Sequence, residues 1–392
     1  MKPDLREMRW VIDEGIPITP ALNQLMGKAD VVPGRDITPE VIAHAQILLV
    51  RSITKVDRAL LQDSSVRFVG SATAGTDHID APALAELGIP WSAAPGSNAI
   101  AVVEYVLSAM ALSGFLAPAI RGLGVGIVGL GAVGSRLAAR LLGLGCSVVA
   151  HDPLRQSWPD NIQRVTLNEA LSQPIVSLHA NLHDQAPYSS TGLLGTAVAE
   201  PMAQGAENRG MGLLINAARG ELITPSALML LLASPMTVIL DTWPGEPRLP
   251  ESVLSTADWI SPHIAGHSQD AKTRGSDMLA SALARWAGEE LLLRTDENPL
   301  NIVPEEASIE GRVMETDATD WATQFLTSRG TLAREDARMR AVGSGGLTAK
   351  HFDTLRKTYR QPSEWSGRTI RLSVQDPTLC EMAKRLGMNI AT

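Results

Sequence analysis

The chain predicts an α/β protein built around a doubly wound parallel sheet, and three observations carry that prediction. Short apolar runs such as Val125–Val128, Leu213–Asn216 and Val238–Leu240 alternate with stretches of helical periodicity, as parallel strands covered on both faces require. The first of these runs is followed by Gly129, Gly131 and Gly134 in G-x-G-x-x-G spacing. An acid, Asp152, closes the next strand 18 residues after Gly134.

From Val125 to Asp152 the chain reads as strand, turn, helix, strand. Lacking side chains, the first glycine makes the turn, the second admits a pyrophosphate close to the backbone, and the third lets the helix pack on the sheet. The helix N-terminus then presents unpaired N–H groups and a partial positive charge to the phosphates. Ser135 to Leu144 continues as a helix with Leu137, Leu141 and Leu144 on one face, and Gly145 ends it. A carboxylate at Asp152 accepts the ribose hydroxyls of NAD and repels the additional phosphate of NADP. Arg155 is a cation that such a phosphate could use, but the acid outweighs it. The stretch is therefore expected to hold NAD in a Rossmann-type domain.

At 392 residues the chain has room for two or three domains. A net charge of −8, from 34 Lys and Arg against 42 Asp and Glu, with no basic cluster, argues against a nucleic-acid partner. The two cysteines, Cys146 and Cys380, are too few and too far apart for a disulfide framework, which points to a reducing cytoplasm. No hydrophobic run opens the chain as a signal peptide would. The most apolar segment, Ala99 to Ile120, contains Glu104, Gly114 and Pro118, so it reads as a buried helix, and no membrane partner is expected.

Strand and helix alternate well before the glycine turn. Arg9–Asp13 reads as a strand; Ile47–Val50 is another, ending in Arg51 and Ser52; Arg67–Gly70 is a third, leading into SATAGTDHID (71–80). Ligands gather at the carboxyl ends of such strands, and that small glycine-containing turn suits close approach of a carboxylate or phosphate. Residues 1–98, completed by about 266–290, thus form a substrate-binding domain, and 99–265 form the nucleotide domain. A helix capped near Ser97 or Asn98 leads into the latter, with Glu104 read as a buried structural acid. Residues 291–392, with strands separated by glycines and an amphipathic helix near Ala349–Tyr359, read as an oligomerisation or regulatory module.

Three successive strand ends of the nucleotide domain deliver Arg219, Glu246 and His263 toward the cofactor edge. Hydride transfer from an alcohol carbon needs a base for the hydroxyl proton, and a histidine titrates near neutrality. It needs a cation for the substrate carboxylate and the forming carbonyl, and an arginine stays charged and forks onto both oxygens. A glutamate beside the histidine stabilises its imidazolium form.

In this order these residues resemble the D-isomer-specific 2-hydroxyacid dehydrogenases. The resemblance is carried by VVPGR (31–35), LLVRSITKV (48–56), FVGSATAGTDHID (68–80), SAAPGSNAIAVVEYV (92–106), GIVGLGAVGSRL (126–137), INAARG (215–220), LDTWPGEP (240–247) and SPHIAG (261–266). In the tail, FDTLRKTY (352–359) and SEWS (363–366) resemble the C-terminal dimerisation domain of one branch of that family. The resemblance implies a flavodoxin-like α/β substrate domain, a Rossmann-type NAD domain, a C-terminal α+β dimerisation domain and a homodimer. It makes Arg219 and Glu246 catalytic and His263 the proton donor and acceptor. Ser52 and Thr73 would contact a small phosphorylated 2-hydroxy acid substrate, and Asp152, Ala217, Ala218, Asp241 and Gly266 would contact NAD. From its charge and position, Arg51 is either a phosphate contact or a surface cation.

The chain departs from the family pattern in places. His267 stands where the family has a substrate-binding tyrosine, and His179-Ala180-Asn181 replaces H-T-P. The segment 188–211 carries Pro201, Gly205 and Gly210 where relatives have a regular helix, so that helix is expected to be broken or shortened. His263 and His267 flank Gly266 and follow Pro262, which disrupts the helix that a metal-binding histidine pair occupies, and no metal is expected. Two alternatives remain: a dehydrogenase for another D-2-hydroxy acid such as 3-phosphoglycerate, and a non-catalytic NADH-sensing binding protein.

Overall fold

A computed structural model describes residues 3–291, 309–311, 317–342, 345–372 and 376–391. The chain divides into two compact units, Met1–Asn98 with His267–Val303, and Ala99–Gly266 with Pro304–Thr392.

The first unit is a five-stranded parallel sheet in the order β2-β1-β3-β4-β5, formed by β1 (Arg9–Asp13), β2 (Lys28–Val32), β3 (Ile47–Val50), β4 (Phe68–Ser71) and β5 (Trp91–Ser92). Side chains alternate between its two faces, as the strand period demands. Trp10, Ile12, Ile47, Leu49 and Phe68 pack on one side with Leu279 and Leu283 of the helix Gln269–Ala287. Val11, Leu48, Val50 and Val69 pack on the other with Ile42, Leu61 and Leu84.

The second unit holds a seven-stranded parallel sheet in the order β12-β11-β10-β9-β6-β7-β8. Its strands are β6 (Val125–Val128), β7 (Val148–His151), β8 (Gln163–Arg164), β9 (Ile175–Leu178), β10 (Gly212–Asn216), β11 (Met236–Leu240) and β12 (Trp259–Ile260). The first strand of the unit lies in the middle and the order reverses between β6 and β9, the switch point where a doubly wound sheet receives its ligand. Val125, Ile127, Ile175, Leu213, Ile215 and Ile239 face one helical layer. Val128, Val176, Leu178, Leu214, Val238 and Leu240 face the other.

The helix Ala99–Leu112 buries 12 of its 14 residues, so it is a core rod and not an amphipathic surface helix. The C-terminal residues, expected as a module of their own from 291, are instead part of the second unit from Pro304 onward. The physical reason is a shared core. Trp321, Phe325, Trp365 and Leu379 belong to the same apolar cluster as Val103, Val106 and Leu107 of that rod, and the buried Glu104 carboxylate accepts the Trp365 N–H at 2.9 Å and the Ser366 N–H at 2.7 Å. The tail contributes the parallel sheet β13-β14-β15, formed by β13 (Ile309–Gly311), β14 (Thr369–Leu372) and β15 (Asn389–Ile390). Its amphipathic helix spans Ala349–Lys357 behind a Thr348 cap.

Of the broken or shortened helix expected in 188–211, the structure shows the shortened form. The helix is shortened to Thr196–Arg209, but Pro201 does not break it. Ala199, Met202, Ala203 and Ala206 anchor one face in the core, and Gly210 closes the helix at φ 70°. That packing outweighs the one backbone hydrogen bond a proline removes.

Candidate active site

The carboxyl ends of β6, β7, β10, β11 and β12 supply the second unit's site. At β6 the glycine turn is shaped by close approaches. Gly129 has φ 91°, and a Cβ there would lie 2.4 Å from the Ala180 nitrogen; a Cβ on Gly134 would lie 2.0 Å from the Gly129 oxygen. Any larger residue would push the turn off the segment His179–Ala180 that follows β9, or the helix Ala132–Gly143 off the turn. A Cβ on Gly131 would meet nothing within 4 Å, so this peptide is open to a ligand.

Asp152 follows β7, and its carboxylate is fixed by backbone. Oδ2 accepts the Leu130 N–H at 2.8 Å, and Oδ1 accepts the N–H groups of Leu154 and Arg155 at 3.1 Å each. Arg155 is tied back to the same turn, where Nη1 donates to the Leu130 carbonyl and, at 2.7 Å, to the Ser135 hydroxyl. The acid therefore sits rigidly beside the turn. An open peptide at Gly131, a helix N-terminus and an oriented carboxylate fit a dinucleotide.

At the end of β10, wholly buried Asn216 organises the loop. Its side chain donates to the Arg219 carbonyl at 2.9 Å and accepts the Ala218 N–H at 3.2 Å. Arg219 Nη1 donates to the Ala218 carbonyl at 2.9 Å. A Cβ on Gly220 would lie 1.9 Å from the Trp243 oxygen, so this loop rests directly on the loop after β11. There Glu246 Oε1 accepts the Trp243 N–H at 3.1 Å, leaving Oε2 for a second partner.

That partner is His263, whose Nδ1 lies 2.9 Å from Glu246 Oε2. With Nδ1–H donating to the carboxylate, Nε2 is left as the basic nitrogen. His263 has φ 54°, the left-handed region, where no other non-glycine residue lies among the described residues. Asp241 holds it there. The backbone carbonyl of Asp241 accepts the His263 N–H at 2.9 Å. Its carboxylate accepts the Ile264 N–H at 2.7 Å, the Ala265 N–H at 2.9 Å and the Ser261 hydroxyl at 2.6 Å. Burial pushes this carboxyl above its ordinary pKa, and the nearby His263 and these donors oppose the push. Ser261 is in turn 2.7 Å from the Tyr105 hydroxyl of the rod Ala99–Leu112. Neither Ser261, Tyr105 nor Asn216 is singled out by sequence reasoning; a polar residue inside an apolar run is the one signal each leaves.

Other expected residues lie in the first unit. Thr73 Oγ1 is 2.8 Å from Ser71 Oγ and donates to the Gly75 carbonyl at 3.1 Å, while His78 Nε2 braces Ser71 at 2.9 Å. Arg51 is gripped by fully buried Asp13, with Nε at 2.8 Å and Nη2 at 2.7 Å. Ser52 is exposed and His267 half-buried. Ala217, Ala218 and Gly266, half-buried, lie on the loops after β10 and β12.

The chain is 36% identical to an erythronate-4-phosphate dehydrogenase of Yersinia enterocolitica over 389 residues, 97% of this chain and 99% of that one. The chain belongs to the erythronate-4-phosphate dehydrogenase family. A relative of the same name from Salmonella arizonae is also 36% identical, over 97% of this chain and 98% of its own. The model of the D-isomer specific 2-hydroxyacid dehydrogenase NAD-binding domain matches residues 107–265. An NAD⁺-bound 3-phosphoglycerate dehydrogenase from Entamoeba histolytica has the same fold, with a TM-score of 0.59 and 20% identity. That likeness covers 95% of the Entamoeba chain but 71% of this one, so more than a quarter of this chain has no counterpart there, whereas the erythronate-4-phosphate dehydrogenases match it almost throughout. The chain is an NAD-dependent dehydrogenase.

Proposed function

We propose that this enzyme oxidises 4-phospho-D-erythronate at C2 to (R)-3-hydroxy-2-oxo-4-phosphooxybutanoate, a step of pyridoxal 5′-phosphate biosynthesis. The observation that carries the reading is the His263–Glu246 pair at 2.9 Å, set on the loops beside Arg219. His263 Nε2 takes the C2 hydroxyl proton, and the Glu246 carboxylate stabilises the imidazolium that results. Arg219 pairs with the C1 carboxylate and draws electron density toward the forming carbonyl oxygen. When bound, NAD would supply the acceptor for the C2 hydride. Asp152 would orient the adenosine ribose, the peptide at Gly131 would receive the pyrophosphate, and Ala217, Ala218, Asp241 and Gly266 would line the remainder of the cofactor.

Ser52, Thr73, Arg51 and His267 are assigned to the substrate. His267 replaces a tyrosine hydroxyl with an imidazole, which when protonated adds charge favourable to a phosphate. The tail is assigned to homodimer formation, and the free state of Cys146 and Cys380 supports a cytoplasmic setting.

Adding NAD and 4-phospho-D-erythronate should raise nicotinamide absorbance at a far higher kcat/KM than with 3-phosphoglycerate. His263→Ala should lower kcat by about 10²–10⁴-fold. Equal or better turnover of 3-phosphoglycerate would replace the substrate assignment, and absence of turnover with any 2-hydroxy acid would leave an NADH-binding protein.

A further inference from the structure

In the first unit the Arg51 side chain is caged. Asp13, wholly buried, takes its Nε and Nη2 on one oxygen, Oδ1, which also accepts the Gly15 N–H at 2.8 Å. A Cβ on Gly15 would lie 2.2 Å from Arg51 Cζ, and a Cβ on Gly34 would lie 2.1 Å from Asp13 Oδ2. The Gly34 carbonyl is fixed by the buried Thr54 hydroxyl at 2.8 Å. The chain gives up two side chains so that this pair can close, which aims the guanidinium while leaving 27% of the Arg51 side chain accessible.

A second cation shares this environment. Lys272 lies in the first turn of the helix Gln269–Ala287, which rests on the end of β4: a Cβ on Gly275 would be 2.7 Å from the Ala72 oxygen. Lys272 is half-buried and its ammonium makes no hydrogen bond or ion pair with any described residue. Burial pulls its pKa below the ordinary lysine value, the Arg51 guanidinium pulls the same way, and Asp13 opposes. Asp13 meets Arg51 through Oδ1 alone, and its Oδ2 is buried without a hydrogen-bond partner, so a single carboxylate faces both cations. Two partly desolvated cations beside one carboxylate are costly unless an anion offsets their repulsion.

We infer that Arg51 and Lys272 together form the seat for a phosphomonoester dianion, with Asp13 as the residue that positions Arg51. The inference rests on the substrate class proposed above and adds to it the residues that would select for the phosphate. Arg51 offers oriented N–H groups and Lys272 a mobile point charge, so the pair supplies both direction and charge. Free inorganic phosphate has the same chemistry and serves as the probe.

The test is calorimetric titration of inorganic phosphate into the full-length enzyme saturated with NADH, so that the glycine turn is already filled. Lys272→Gln should weaken phosphate binding about five- to hundredfold, the worth of one charge-assisted contact, and Lys272→Arg should restore most of it. With 4-phospho-D-erythronate, Lys272→Gln should raise KM far more than it lowers kcat. A change in phosphate binding smaller than fivefold, in protein whose unfolding midpoint without phosphate matches the wild type, overturns the seat. If the wild type binds phosphate in a Lys272-dependent way but does not oxidise 4-phospho-D-erythronate, the substrate assignment falls and the seat stands.

Discussion

His263 works from a backbone conformation that a β-carbon disfavours, and it stays there because Asp241 receives four hydrogen bonds from residues 261–265 through its carbonyl and carboxylate. Ser261 is the least replaceable of these donors, since it also meets the Tyr105 hydroxyl. Ser261→Ala leaves a buried phenol without its partner and a buried carboxylate short of one donor. The expected cost is about 1–3 kcal/mol in denaturant unfolding. Because the loop carries His263, the residue assigned as the base, kcat should fall. A kcat equal to wild type would show that the loop holds its shape without the serine. Arg219, Glu246 and His263, the three residues assigned to catalysis, are legible in the sequence because the proposed chemistry restricts residue type. The groups that aim them are not: serine, tyrosine and asparagine are ordinary residues, and only the fold shows that these are buried against an acid or a loop.

Elements were legible where burial was complete. β3, β4, β6 and β9 are buried along their whole length, so their apolar runs stand out from the flanking chain. The edge strands β2, β5 and β8 have partly or fully exposed residues and left no such run. Turn chemistry was equally readable, because a pyrophosphate-binding turn needs glycine at fixed spacing. The helix Thr196–Arg209 shows the opposite case, in which local composition argued against an element that tertiary packing retained. Pro201 is solvent-exposed on that helix. Pro201→Ala should therefore restore the bond to the Ala197 carbonyl and raise stability by about 1 kcal/mol or more, read as a higher unfolding midpoint. An unchanged midpoint would mean the first turns of the helix add little to the fold.

At the scale of the molecule, the notable departure from expectation is the tail, which the sequence marks off by a change of character but whose core is that of the nucleotide domain. Glu104 lies at this junction. Burial, and next to it the Glu364 carboxylate, push its carboxyl pKa from 4.5 up to about 8, against the pull of the Ser366 and Trp365 N–H groups. The folded chain thus holds this proton more tightly than the unfolded one. The stability linked to it is fully present below about pH 4.5 and is lost as pH rises through about 8. Thermal midpoints measured across that window should decline with pH in the wild type, and Glu104→Gln should flatten the decline. Parallel slopes for the two proteins would show that the acid does not carry the dependence.

The Glu104 contact also bears on how this protein can vary. Glu104 grips peptide hydrogens at Trp365 and Ser366, so it senses the path of the polymer and not the spelling of the residues along it. Substitutions there that respect the surrounding packing leave the grip intact, whereas an insertion or deletion of one residue shifts the hydrogens out of register. Drift in this part of the family is expected to be rich in replacements and poor in changes of length.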